Sequence, residues 1–264
     1  MSLDLDYANR DFIPDAESYP PAWAEAASEF REVEHAIGRA RLNLSYGAHE
    51  RHVFDLFLPA GRPAGLFVFV HGGYWRLFDC KAWSHFAAGV QARSWAVAMP
   101  SYRLAPEVRI SDITRDVAEA VSAAAARVQG PIVLAGHSAG GHLVARMLNA
   151  DVDLPGEVAE RIIRVVPISP VSDLRPLMGT AMNADFRLTE EAATAESPAH
   201  LPQARRAEVT VWVGAEERPA FLDQARWQAE NWRVTLRHAP GRHHFDILDL
   251  LQEPGSALTR ACVG

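Results

Sequence analysis

Ile132-Val133-Leu134-Ala135-Gly136-His137-Ser138-Ala139-Gly140-Gly141-His142-Leu143 decides how this chain is read. The first four residues are a short apolar run, as in a strand covered on both faces. From Ala139 to Asn149 the pattern turns helical. Gly136-His137-Ser138-Ala139-Gly140 therefore sets a serine on the turn from strand to helix. A serine on so tight a turn takes strained backbone angles, and side chains beside it would collide with the adjoining strand and helix. Glycines at 136 and 140 remove that collision. The five-residue pattern alone carries little weight; in this context it reads as a nucleophile elbow.

Further apolar runs lie on both sides of the elbow. Leu66 to Val70 is continuous, as expected of a buried parallel strand, whereas Val53 to Leu58 alternates in part like an edge strand. Ala96 to Met99, Ile163 to Ile168, Val209 to Val213 and Val234 to His238 follow, separated by segments of helical character. Ser111 to Arg127 carries Ile113, Val117 and Val121 at helical spacing and is stopped by Gly130-Pro131; Pro219 to Asn231 opens with proline at a first helical turn. This alternation is the mark of α/β architecture. Pro21 to Ala36 predicts one helix within an N-terminal extension of about residues 1–40. The polar, Ala-rich stretch 172–205 is a candidate lid inserted between two core strands. With no repeat, low-complexity tract or linker, residues 1–264 read as a single domain.

Composition narrows the function classes. The chain has 264 residues, 48% of them hydrophobic, enough for one large core. A formal net charge of -7 argues against a nucleic-acid partner, because phosphate neutralisation needs a concentrated Lys/Arg surface. No stretch approaches the roughly 20 apolar residues that span a bilayer, so no membrane partner is expected. Cys80 and Cys262 sit at opposite ends of the chain and Met1-Ser2-Leu3-Asp4 lacks the features of a signal peptide, so free thiols in a reducing cytoplasm are expected. Neither cysteine has the nearby partner of a zinc site. Oligomeric state is not legible.

A serine is a poor nucleophile until a base takes its proton, and with this elbow the partners come in the chain order Ser, acid, His. His243-His244-Phe245-Asp246 lies beyond the last predicted strand. His244 is preferred as the base, with His243 turned to solvent and His238 a strand residue. Gly214-Ala215-Glu216-Glu217-Arg218-Pro219 follows the strand ending at Val213 and offers two glutamates and no aspartate. Glu217 is chosen as the acid, with Glu216 exposed; the competing reading has Glu217 paired with a surface cation. Either carboxylate type can fix the imidazole tautomer and stabilise the imidazolium. After Val70, the turn His71-Gly72-Gly73-Tyr74-Trp75 lets backbone approach a bound acyl group. The N–H groups of Gly73, Tyr74 and Ala139 are candidate oxyanion donors, with Gly72 shaping the turn. Tyr74, Trp75 and Phe78 either line a pocket for an aromatic substrate portion or pack the core; the two readings stand side by side.

Taken together these residues resemble the kynurenine formamidase (arylformamidase) branch of the α/β-hydrolases, whose hallmark is His-Gly-Gly-x-Trp. Trp75 fills the Trp position. The resemblance covers most of the chain: Tyr46-Gly47, Gly136 to Leu143, Asp173-Leu174 through Ser197-Pro198, Pro219-Ala220-Phe221 and His244-Phe245-Asp246. It puts the family acid, usually Asp, on Glu217. Tyr102-Arg103-Leu104-Ala105-Pro106-Glu107 is similar instead to the hormone-sensitive-lipase branch of esterases.

The implied fold is an α/β-hydrolase fold, a mostly parallel sheet with helices on both faces. The implied reaction is attack by Ser138 on a formamide or ester carbonyl, with His244 shuttling the proton and no metal or cofactor. N-formyl-L-kynurenine, cleaved to L-kynurenine and formate, is the substrate the resemblance implies. A carboxylesterase or thioesterase of broad specificity uses the same machinery, and a binding protein that has lost its chemistry would keep only the pocket.

Overall fold

The computed structural model of the chain describes residues 3–264. Eight strands form one sheet: β1 (Ala40–Ser45), β2 (Val53–Phe57), β3 (Leu66–Val70), β4 (Ala96–Pro100), β5 (Ile132–His137), β6 (Ile162–Ile168), β7 (Glu208–Gly214) and β8 (Thr235–Ala239). Their order is β1-β2-β4-β3-β5-β6-β7-β8. β2 runs antiparallel to β1 and β4, and every other pairing is parallel. This is an α/β-hydrolase fold.

The continuous apolar run of β3 divides by the two-residue period of a strand. Leu66, Val68 and Val70 enter one core layer with Ile113, Val117, Leu143 and Phe221. Phe67 and Phe69 enter the other, with Trp23, Phe86, Val90 and Leu258. The first layer is covered by helices Ile110–Ala125, Ala139–Arg146 and Pro219–Trp232, the second by Tyr19–Ala36 and Ala257–Val263. All eight residues of Ala139–Arg146 are buried, since this helix packs on β3, β5 and β6 at the centre of the sheet. None of the described helices is long and apolar enough to cross a membrane.

One expectation needs correction. β2 is not the edge; β1, which alternation in 53–58 did not reveal, lies outside it. The polar residue that made β2 look like an edge, Asp55, is 1% exposed and accepts from the Asn43 N–H of β1 at 2.8 Å. Burial pushes its carboxyl up, and that hydrogen bond works against the rise. The real edge, Ala40–Ser45, has alternating exposure.

Two irregular segments flank the C-terminal ends of the central strands. Residues 172–205 fold as short helical turns, with Leu174, Leu177, Phe186 and Ala193 in the core. Residues 3–18 are likewise short turns, and Tyr7 and Asn9 are each 3% exposed.

Candidate active site

Ser138 follows β5 and precedes helix Ala139–Arg146, with φ 55° and ψ −115°. A non-glycine residue in that region stores about 1–3 kcal/mol of backbone strain, held there by its surroundings. The surroundings are backbone at contact distance. A Cβ on Gly140 would lie 2.0 Å from the Val70 carbonyl oxygen, and one on Gly136 would lie 2.2 Å from that of Gly140. The Ser138 N–H donates to Ile168 O at 2.8 Å, tying the turn to β6.

His244 lies in the turn after β8 and Glu217 in the turn after β7; both are buried. His244 Nδ1 and Glu217 Oε2 are 2.7 Å apart. A carboxylate accepts, so Nδ1 carries the proton and Nε2 keeps its lone pair. Glu217 Oε1 accepts from the Gly214 N–H at 2.9 Å and from the Ser169 hydroxyl. Glu216 is exposed. His243 is half-buried, paired with Tyr19 and Asp246, and His238 is exposed.

His71-Gly72-Gly73-Tyr74-Trp75 packs directly on the elbow: a Cβ on Gly72 would meet the Ser138 Cβ at 3.3 Å. Gly73 has φ 113°, and Tyr74 and Trp75 have φ 52° and 56°. Gly73 O accepts from the N–H groups of Arg76 and Leu77. The N–H groups of Gly73, Tyr74 and Ala139 donate to nothing among the described residues. The loop is braced from behind. The His71 ring stacks on Tyr102 at 4.3 Å, its Nδ1–H donates to Gly72 O, and burial lowers its pKa to about 4. The Tyr102 hydroxyl donates to His71 O, and the Ala105 N–H to Trp75 O, so the Tyr102 to Glu107 motif is a buttress for this loop.

A cavity of about 320 Å³ has Ser138 and His244 in its wall, together with Tyr7, Asn9, Trp23, Tyr74, Phe78 and Phe245. Tyr74 and Phe78 thus line the pocket. Trp75 does not. It is fully buried in the core, edge-on to His142 and Phe186, where the large apolar surface of an indole packs on all sides. Of residues 172–205, Met182 alone reaches this cavity; the N-terminal turn 4–10 supplies more of its wall.

Four participants escaped the reading of the sequence. Ser169 holds Glu217, and its only signal is its position just past the end of β6, next to the strand that leads to Glu217. His137 precedes Ser138, and its Nε2–H donates to His244 O at 2.8 Å. Tyr7 and Asn9 lie in the extension, where no periodicity marks them.

The family model described as alpha/beta hydrolase fold matches residues 67–218, more than half of the chain and the whole of the elbow. The chain belongs to the α/β-hydrolases. It is 27% identical to a kynurenine formamidase of Salmo salar, over 98% of this chain and 95% of the relative, and 25% identical to that of Danio rerio, over 98% and 93%. A crystal structure from Silicibacter sp., described only as a candidate thioesterase, is 56% identical with TM-score 0.97, each chain covered in full. With such relatives this α/β-hydrolase is a hydrolytic enzyme acting on a small molecule.

Proposed function

We propose that this hydrolase cleaves the formamide bond of an aromatic amine, with N-formyl-L-kynurenine as substrate. The observation that carries the reading is the buried relay from Ser169 and Gly214 through Glu217 to His244, opening on an aromatic-walled cavity that also holds Ser138. Full-length similarity to kynurenine formamidases supports the substrate class.

In this proposal Ser138 Oγ attacks the formyl carbon while His244 Nε2 takes its proton. The oxyanion is received by the N–H groups of Gly73, Tyr74 and Ala139, with Gly72 leaving room for the approach. The C–N bond breaks as His244 returns the proton to the departing amine. Water, deprotonated by the same imidazole, then attacks the formyl ester on Ser138 and releases formate. Glu217 holds the Nδ1–H tautomer and stabilises the imidazolium. A cytoplasmic setting belongs to the same proposal.

A thioesterase or carboxylesterase is the second reading, favoured by the 56% identical candidate thioesterase. Initial rates on N-formylkynurenine, p-nitrophenyl acetate and a short acyl-CoA separate the two. Formamide turnover no faster than that of Ser138→Ala would remove the formamidase assignment. Absence of labelling by a fluorophosphonate probe would remove catalysis altogether.

A further inference from the structure

His244 belongs to the turn after β8, and Ser138 to the turn after β5. β6 and β7 lie between those two strands, so the turns begin three strand spacings apart, roughly 14 Å. Glu217, in the turn after β7, holds the His244 ring at Nδ1. A ring held at one atom can still pivot about it, so the backbone that carries His244 needs a second hold on the β5 side.

His137, the last residue of β5, supplies that hold. Its Nε2 is 2.8 Å from the His244 carbonyl oxygen, and a carbonyl only accepts, so Nε2 carries the proton. Among the described residues this is the one hydrogen bond that ties the 243–246 turn to the elbow. The two imidazole rings meet with centroids 4.5 Å apart, and Phe221 also packs on His244 at 4.4 Å. Nδ1 of His137 faces the glycine loop, where a Cβ on Gly72 would lie 2.9 Å from it. Burial, with His244 nearby, takes the His137 pKa well below the ordinary 6.5, so the ring stays neutral and its single N–H stays on Nε2.

We infer that His137 is a positioning residue of the proposed reaction: wedged between the Gly72 turn and the His244 ring, it docks the turn that carries His244 against the elbow that carries Ser138. The inference rests on Ser138 and His244 as nucleophile and base, and it is the same whether a formamide or an ester is cleaved. An apolar side chain at 137 would fill the space and leave the buried His244 carbonyl without a donor, so packing and positioning are separable.

Gln offers an N–H at the end of a side chain of similar reach, whereas Leu and Phe offer none. The rate of fluorophosphonate labelling of the full chain reads the reactivity of Ser138 without a chosen substrate. It is expected to fall about ten- to a hundredfold in His137→Leu, as for a buried acceptor left unpaired, and to recover to within about fivefold of wild type in His137→Gln. The far-downfield proton signal of the His244 Nδ1–H, identified by its loss in Glu217→Gln, should be sharp in wild type and His137→Gln and broadened by exchange in His137→Leu. If His137→Leu does not fold, His137→Phe carries the same comparison. A signal that stays sharp in the apolar variant, or labelling that is unchanged in it, overturns the role of His137. Labelling that falls as far in His137→Gln as in the apolar variant overturns it equally. Wild type labelled no faster than Ser138→Ala overturns the reading of Ser138 and His244, and the proton signal still decides on His137.

Discussion

Glu217 Oε2 lies 2.7 Å from His244 Nδ1, and the carboxylate that makes this contact is held on its other oxygen by Ser169 and the Gly214 N–H. An acid gripped at both ends cannot rotate, so the imidazole has one orientation and one tautomer.

Glu217→Gln should therefore do more than remove a charge. Ser169 and Gly214 both donate, so they hold the amide oxygen of the new side chain and turn its NH2 toward His244. That donor forces the imidazole proton onto Nε2, the atom that has to receive the proton of Ser138. A loss of roughly 10³–10⁴ in kcat is expected, by analogy with the corresponding change in serine proteases. Glu216→Gln, at an exposed position, should leave kcat nearly unchanged. Steady-state kinetics on the two variants would reassign the acid if the order were reversed.

Ser169→Ala removes one charge-assisted hydrogen bond from the acid while leaving the Gly214 contact. Such bonds contribute about 1.5–3 kcal/mol, so kcat should fall about ten- to a hundredfold with KM little changed. An unaltered kcat would show that Gly214 alone is sufficient to hold Glu217.

Gly140→Ala tests the elbow. The added methyl would sit 2.0 Å from the Val70 carbonyl oxygen, a backbone atom in the central sheet that cannot swing aside. Thermal unfolding should show a loss of at least about 1–3 kcal/mol, with activity lost beyond what stability explains. Wild-type melting and turnover together would refute the close packing.

Acid should weaken the fold before it reaches the carboxylates. Burial lowers His71 and His85 to about 4 and His142 to about 3, and burial, with His244 nearby, takes His137 well below its ordinary value of 6.5. The unfolded chain takes up protons at these positions that the folded chain refuses. Their contribution is complete above pH 6.5 and is lost as pH falls toward 4, each histidine adding a slope of about 1.4 kcal/mol per pH unit. Urea unfolding at pH 7, 6 and 5 measures this, and a flat profile would mean that the histidines are accessible in the folded state.

The sheet's central strands and the helices between them were legible because burial on two faces writes continuous apolar runs and helical spacing into the chain. Helix Pro219–Trp232 and strand Leu66–Val70 were read almost to the residue. β1 was not, since an edge strand has few apolar positions to spell it out. Trp75 illustrates the opposite failure: an aromatic beside the Gly72-Gly73 turn reads equally as pocket or core, and only packing against His142 and Phe186 separates the two. Ser169, His137, Tyr7 and Asn9 act through polar contacts across long sequence separations, and such contacts have no period.

By itself, the order of residues determined the architecture, the turn that carries Ser138 and the two later turns from which an acid and a base can return to it. Those follow from local rules: apolar period, glycine where backbones touch, and turn position after a strand. Which atom of Glu217 meets which atom of His244, and which aromatics face the cavity, were decided only when segments distant in sequence were packed together. Hydrogen bonds and contact surfaces act over a few ångströms in space, and nothing in a linear chain records that distance.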